Sequence, residues 1–389
     1  MSAQRRAVIV GAGIAGLATA IALEKAGWRV ALLERGDRLR GDNSGVLLRP
    51  NAVRALRSLD LGLALDAIAT PVAQARLRRS DGHVLAAADA ETLDRPGART
   101  VAVHRADLIE ALVAALGDRV EVHTGITATH IDLVHPAAGD RHRRWQADLL
   151  IGADGIGSAV RAGLDAASKV RGTAQVAFQA MIPTHRGQEL TDLGGETRGT
   201  GGRRFLFVPM GKRGIYWMAV VRGGLRPEPA KVRHELLARW FADWHDPIGD
   251  LIKNTRPEEI TQTELSQLQP LPRHFTHIDD ASGAALVGDA AHALPPDRGL
   301  GGGLALEDAV TLGICLTGRG VADGLRRYEA ERRLRVVKLF RAAHRMDAVF
   351  GSRGKLPAAV RNRLARATGE HWFGRGAPGT DDWRPPGTD

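Results

Sequence analysis

The feature that most constrains this chain is a glycine-rich turn near its N-terminus, Gly11-Ala12-Gly13-Ile14-Ala15-Gly16. It follows a short apolar run from Arg5 to Val10 and opens a stretch of small and apolar residues up to Ala26. A second apolar run, Arg29 to Leu33, then leads to Glu34. This order of strand, glycine turn, helix and strand within about 30 residues predicts one βαβ unit, and therefore a parallel sheet covered by helices.

Each glycine of this turn has a physical purpose in nucleotide binding. Gly11 supplies the torsions of a tight turn, Gly13 lets a pyrophosphate approach the backbone, and Gly16 allows close helix–strand packing. The helix that starts there directs its positive end towards the phosphates. Glu34, 23 residues after Gly11, is placed to accept hydrogen bonds from an adenosine ribose. The combination predicts dinucleotide binding, without distinguishing FAD from NAD.

Two later segments each place an acidic residue and a glycine just after a buried strand. One is Asp154-Gly155 and the other is Gly288-Asp289, which is followed by Pro295-Pro296 and by the glycine-rich residues 299–303. Together with the first turn, these segments resemble the signatures of the para-hydroxybenzoate hydroxylase-like flavoprotein monooxygenases, which include salicylate hydroxylases and zeaxanthin epoxidase. The resemblance spans residues 5 to about 346, in the family's order and at its intervals.

The resemblance implies a non-covalently bound FAD in contact with all three segments. Arg105 matches a family arginine that reaches FAD, and Asp289 matches a residue near the ribityl or pyrophosphate region. The backbone of residues 300–303 is expected to stabilise negative charge on the reduced flavin. Leu300 and Gly303 stand where the family usually has Gln and often has Asn, which leaves only the backbone donors there. The residues expected to bind the cofactor are Gly11, Gly13, Ile14, Ala15, Gly16, Glu34, Arg35, Arg40, Arg105, Asp154, Gly155, Gly288, Asp289, Pro296, Gly299, Gly301, Gly302 and Gly303.

The same resemblance implies a reaction. NAD(P)H reduces FAD, and O2 then gives a C4a-hydroperoxyflavin that transfers one oxygen atom to an electron-rich, aromatic or polyketide-like small molecule, by hydroxylation or epoxidation. The flavin is the reactive group, so no side chain is assigned as a catalytic acid or base. The alternatives are a non-oxygenating oxidase or reductase, and a non-catalytic flavin-binding protein on the same fold. A plain NAD dehydrogenase would leave the Asp154 and Asp289 segments without a purpose.

The substrate is expected between the flavin and a second, β-rich domain. Phe205 and Phe207 share one face of a predicted strand, Trp217 lies on the partner strand, and Pro295 matches a family position beside the ring. The three aromatic residues are equally well explained as an ordinary sheet core.

The predicted fold class is α/β. A Rossmann-like FAD-binding domain of the para-hydroxybenzoate hydroxylase type carries an inserted mixed β-sheet substrate domain and long C-terminal helices. Residues 1–71, 98–168 and 283–346 are assigned to the FAD-binding domain, and residues 72–97 and 169–282 to the substrate domain. Residues 347–389 are assigned to a helical or flexible tail, poorly ordered from Gly374 onwards.

Composition limits the partners. The net charge is +10, but the densest basic group, Arg326 to Arg333, is interleaved with Glu at helical spacing, which is typical of a solvated helix face rather than a nucleic-acid site. Cys315 is the only cysteine, so no intrachain disulfide forms, and a reducing cytoplasm suits the chain. No membrane span and no metal site are predicted. We expect a cytoplasmic monomer or homodimer whose partners are a small-molecule substrate and O2.

Overall fold

The computed structural model describes residues 4–89, 99–183, 194–224, 226–295, 299–350 and 381–387. The elements below belong to these ranges. Pro296, one of the predicted cofactor-binding residues, lies outside them, as does most of the predicted tail.

A six-stranded sheet forms the centre of the first domain. Its strands are β1 (Arg6–Val10), β2 (Arg29–Leu33), β8 (Val120–His123), β12 (Leu149–Gly152), β18 (Thr276–Asp279) and β19 (Ser282–Leu286). The strand order is β18-β19-β12-β1-β2-β8, and every neighbouring pair is parallel except β18 with β19. β1, β2, β12 and β19 are almost wholly apolar because helices bury both faces of a parallel sheet. This confirms the predicted α/β class.

Helices cover this sheet. They are α1 (Ile14–Lys25), α2 (Pro50–Ser58), α3 (Gly62–Ile68), α4 (Arg105–Ala114), α5 (Ala159–Leu164), α8 (Asp289–His292), α9 (Gly301–Leu316) and α10 (Val321–Phe350). α1 packs on β1 and β2 and also against α9. The two helices approach closely because Gly313 has no side chain: a Cβ there would lie 2.9 Å from the Ala22 Cβ. Cys315, in α9, is buried in the same core.

A seven-stranded mixed sheet forms the second domain. Its order is β17-β13-β16-β15-β14-β5-β6, with only β14 and β5 parallel. Its strands are β5 (Ala75–Arg79), β6 (Val84–Ala88), β13 (Val170–Ile182), β14 (Gly194–Arg198), β15 (Arg204–Pro209), β16 (Ile215–Arg222) and β17 (Thr261–Leu268), and the helices beside it are α6 (Ala230–Trp240) and α7 (Ile248–Lys253).

Two small sheets complete the fold. One has the order β3-β7-β4, from β3 (Gly45–Leu48), β4 (Thr70–Pro71) and β7 (Val101–His104), and connects the two domains. The other has the order β11-β10-β9, from β9 (His130–Asp132), β10 (Ala137–Gly139) and β11 (Arg144–Gln146). No helix in the described ranges combines the length and the apolar character needed to cross a bilayer.

The structure changes two details of the predicted organisation. β18 pairs with β19 in the six-stranded sheet, so a domain boundary at residue 283 would cut through a β-hairpin, and it belongs before Thr276. Within the predicted tail, residues 381–387 pack back on the first domain. There Trp383 is buried in the core beside α2, and Asp381 pairs with Arg49. The remaining domain boundaries stay predictions.

Candidate functional site

The carboxyl ends of four neighbouring parallel strands meet at one edge of the six-stranded sheet. Ligands of open α/β sheets bind in the crevice outside this edge, which is called the cleft below. β1 leads to Gly11, β2 to Glu34, β12 to Asp154, and β19 to Gly288-Asp289. The structure therefore brings the three predicted segments and the predicted acid together.

Packing explains the glycines of the first turn. Gly11 has a φ of +100°, and a Cβ there would lie 2.5 Å from the Ala153 carbonyl oxygen. A Cβ on Gly16 would lie 1.8 Å from the Gly11 carbonyl oxygen. At Gly13, in contrast, a Cβ would meet nothing within 4 Å. Gly13 therefore borders open space, as a backbone that receives a ligand must.

Glu34 is held towards this turn by two backbone donors. The amides of Ala12 and Gly36 each donate to its carboxylate, both at 2.8 Å. Its remaining lone pairs stay available for hydroxyl groups. Arg35 and Arg40 are exposed on the loop that follows.

The polar groups of the second segment, Asp154-Gly155, mainly stabilise the local turn and the helix that follows it. The Asp154 carboxylate accepts from the Ala159 amide at 2.6 Å and thereby caps the start of α5. Its Oδ1 is buried and has no hydrogen-bond partner among the described residues. Gly155 adopts a φ of +74°. Arg161 is buried and donates to Ile156 O and Ala290 O, and these bonds connect this segment to α8. Nothing in the sequence had pointed to this residue.

Asp289 lies in the third segment, after Gly288 with its φ of +59°. Asp289 is exposed to solvent at the carboxyl edge of the sheet, although protein atoms lie close around it. The surrounding protein raises the pKa of the Asp289 carboxyl, and the charges of His292 and Arg105 oppose this shift. Arg105 itself donates to Asp42 at 2.7 Å.

The glycine-rich residues 299–303 lie against β3 and lead into α9. Gly299 packs on Leu47, a Cβ on Gly302 would lie 3.5 Å from the Val46 side chain, and one on Gly301 would lie 3.7 Å from the Asp289 Oδ1. α9 has no side-chain cap and no acidic residue in its first turn. Its first amides, like those of Ile14 and Ala15 in α1, therefore lack partners within their helix.

The structure accounts for both departures from the family pattern. Leu300 is buried in an apolar cluster with Leu304 of α9 and Leu339 of α10. A Gln amide at this position would be desolvated. A Cβ on Gly303 would lie 2.9 Å from the Asn51 Nδ2, so the side chain of Asn51 fills the space beside this glycine.

The aromatic residues that were predicted to line the substrate pocket lie on the face of the seven-stranded sheet that α6 and α7 cover. Phe205, Phe207 and Trp217 are fully buried beneath α6 and α7, where Phe205 stacks on Trp217 at 5.3 Å between ring centroids. This placement favours the sheet-core interpretation over a pocket wall. Pro295 is half-buried near the edge of this sheet, where Leu268 of β17 donates to the Ala293 carbonyl at 3.0 Å.

Tyr216 is the aromatic residue that faces the first domain. It alternates with Trp217 along β16, and its ring lies against Gly45 of β3, where a Cβ would come within 2.8 Å. Its hydroxyl donates to Gln179 Oε1 at 2.7 Å, and burial raises the Tyr216 pKa. Strand alternation puts Tyr216 and Trp217 on opposite faces of β16, but only the contact with Gly45 shows which of the two faces the first domain.

Three comparisons with known proteins agree. Residues 4–343 match the family model described as "FAD binding domain". The aurachin C monooxygenase/isomerase of Stigmatella aurantiaca is 32% identical, over 92% of this chain and 93% of its own. The 2-heptyl-3-hydroxy-4(1H)-quinolone synthase of Mycobacteroides abscessus is 33% identical, over 93% and 94% respectively.

A solved structure, Klebsiella pneumoniae HpxO complexed with FAD and uric acid, superposes with a TM-score of 0.83 at 26% identity, over 98% of this chain and 97% of that one. The residues of this chain fit the same cofactor. The open face at Gly13, the acid after β2, the exposed carboxylate in the cleft and two uncapped helix starts together suit a ligand with phosphates and hydroxyl groups.

Proposed function

Because this chain belongs to the FAD binding domain family and is an FAD-dependent monooxygenase, we propose that it uses NAD(P)H and O2 to oxygenate an electron-rich nitrogen heteroaromatic ring. Bound FAD supplies the redox chemistry. The chain supplies cofactor binding, orientation and exclusion of water, and the residues at the sheet edge divide these tasks.

We assign the cofactor contacts from the geometry of the cleft. The uncapped start of α1 at Gly13 faces the pyrophosphate, and Glu34 accepts from the adenosine ribose. Asp289 accepts from hydroxyl groups of the ribityl chain, since an exposed carboxylate at the bottom of the cleft can receive several donors. The free amides of residues 301–303 direct positive charge towards the flavin ring.

The observation that carries the substrate proposal is the pair of Tyr216 and Gln179. It lies beside β3, and β3 in turn contacts the glycine-rich residues 299–303. A phenol and a carboxamide together offer donors and acceptors that suit a ring bearing both oxygen and N–H groups. Methionines Met181 and Met218 share this sheet face and suit an apolar part of the same molecule.

The names of the similar proteins point to the same chemistry. One makes a hydroxylated 4-quinolone and another has been crystallised with uric acid. Both compounds are nitrogen heterocycles with ring oxygen substituents. Between the two, the apolar face around Met181 and Met218 favours a quinolone-like ring over the more polar purine.

The test is a substrate panel for the purified, FAD-loaded chain: 2-alkyl-4-quinolones, uric acid, hydroxypyridines, simple phenols and saturated analogues. We expect a quinolone-like compound to accelerate NAD(P)H oxidation, and the product to gain one oxygen atom from labelled O2. NAD(P)H oxidation that yields peroxide and no oxygenated product for the whole panel would instead support the oxidase or reductase alternative.

The variant Tyr216→Phe sharpens this test. Loss of one hydrogen bond, about 0.5–1.5 kcal/mol, is expected to raise KM by up to about tenfold while FAD stays bound. Tyr328→Phe is a matched control, because that hydroxyl is also buried but donates to the Leu286 carbonyl, away from the substrate face. An equal change of KM in both variants would argue against Tyr216 as a substrate contact.

A further inference from the structure

A second carboxylate lies buried directly behind Asp289. Asp308, in α9, accepts from the Gly288 amide at 2.8 Å and from His292 Nε2 at 2.6 Å, both through its Oδ2. Gly288 immediately precedes Asp289, and His292 is the last residue of α8. One carboxylate oxygen therefore holds both ends of the short helix that carries Asp289.

Asp308 is itself fixed by a buried cation. Arg332 of α10 donates from Nε to the Asp308 Oδ1 at 2.6 Å, and both side chains are at most 1% exposed. Burial opposes the charge on Asp308, but His292 and Arg332 outweigh it and lower the Asp308 pKa. Charge-assisted hydrogen bonds of this kind are short and directional, so they define the position of α8 tightly.

The neighbouring acid on α9 has different partners. Glu307 accepts from Asn51 Nδ2 at 2.7 Å and from Arg335 Nε at 2.7 Å, and it also pairs with Arg332. Asp308 alone of this adjacent pair hydrogen-bonds α8. It also belongs to the helix whose first residues, 301–303, border the cleft.

We propose that Asp308 is a positioning residue for FAD. By hydrogen-bonding Gly288 and His292, it fixes the position of the Asp289 carboxylate relative to the start of α9. The carboxylate and the helix start can then contact the same cofactor molecule. This inference rests on the proposed assignment of Asp289 as a cofactor contact.

The experiment is a double-mutant cycle between Asp308→Asn and Asp289→Ala in the full-length, FAD-loaded protein. The dissociation constant for FAD is measured from the fluorescence of released flavin on serial dilution, and the unfolding midpoint is measured in parallel. Thr255→Val serves as the stability control: it removes a buried hydrogen bond from Trp217 in the distant sheet core.

We expect Asp308→Asn to weaken FAD binding at least tenfold in the native background and less than twofold in the Asp289→Ala background. Asp308→Asn should lower the unfolding midpoint by a similar amount in both backgrounds. Thr255→Val should lower the midpoint without changing the affinity for FAD. A purely structural role for Asp308 would instead weaken FAD binding equally in both backgrounds, and that result would overturn the proposal.

Two further outcomes are informative. Unchanged FAD affinity in Asp289→Ala alone would refute the assignment of Asp289, independently of Asp308. If Asp308→Asn does not fold, His292→Leu replaces it in the same cycle, because it removes only the bond at the far end of α8. It should weaken FAD binding less, again only while Asp289 is present, and equal effects in both backgrounds would overturn the proposal.

Discussion

The turns after β1 and after β19 border the same cleft, yet they are held in different ways. Each contains a glycine with positive φ, Gly11 at +100° and Gly288 at +59°. The first turn is fixed by the absence of side chains, because Gly11 and Gly16 pack against backbone. The second is fixed by buried charges, because Asp308 bonds Gly288 and is paired with Arg332.

The two turns also touch, so neither is independent. A Cβ on Gly288 would lie 2.7 Å from the Ala15 Cβ of α1. The closely packed turn after β1 is disrupted by any added atom, but it does not depend on a charged partner elsewhere in the chain. A buried ion network tolerates no missing partner, because the remaining charge is then left desolvated. The turn after β1, here called the packed side of the cleft, is therefore sensitive to insertion of a methyl group. The turn after β19, here called the charge-held side, is sensitive to loss of a charge.

The largest expected effect is that of Arg332→Met, which breaks the charge-held side. It leaves the carboxylates of Asp308 and Glu307 without their shared cation, and the free energy of unfolding should fall by about 3–5 kcal/mol. Urea denaturation at saturating FAD measures it. Arg326→Met is the control, since its pair with Asp323 is exposed and should contribute under about 0.5 kcal/mol. Equal losses in the two variants would mean that charge does not hold this turn.

The next effect concerns the packed side. Gly16→Ala inserts a methyl group 1.8 Å from the Gly11 carbonyl oxygen, which should lower the free energy of unfolding by about 1–3 kcal/mol. Gly13→Ala is the matched control, since its methyl group meets no protein atom within 4 Å. It should change stability by under about 1 kcal/mol but weaken FAD binding, because it fills the space at the start of α1. Retained FAD affinity in Gly13→Ala would place the phosphates elsewhere.

The contrast between the turns also explains what could be predicted from sequence. The first turn is local: six consecutive residues carry both its geometry and its purpose, so the βαβ unit and the α/β class were predictable. The partners of Gly288 lie on other elements, at Asp308 and Arg332, and no spacing rule relates them. The spacing of Val53, Leu56 and Leu59 favours a single helix from Asn51 to Leu63, but Asp60 adopts a positive φ and separates α2 from α3.

Sequence alternation had a similar limit in the second domain. It puts Tyr216 and Trp217 on opposite faces of β16. Which face meets the first domain depends on how the sheet docks, and this is visible only in the contact between Tyr216 and Gly45. The sequence left Phe205, Phe207 and Trp217 open between pocket wall and sheet core, and all three pack beneath α6 and α7.

The smallest expected effect tests how far the charge-held side extends. Asp381 pairs with Arg49 through two hydrogen bonds, of 3.0 and 3.1 Å, just before α2, and α2 carries the Asn51 that donates to Glu307. Asp381→Asn should lower the free energy of unfolding by about 1 kcal/mol, because this pair is only partly buried. FAD affinity should change less than twofold, because Asp308, not Glu307, bonds the Asp289 helix.

Asp382→Asn, which changes an exposed neighbour, should leave both the stability and the FAD affinity unchanged. A tenfold loss of FAD affinity in Asp381→Asn would mean that the C-terminal segment acts on the cleft through Asn51 and Gly303. The charge-held side would then reach from β19 to Asp381, and among the described residues of the cleft only the glycine turn after β1 would be fixed locally.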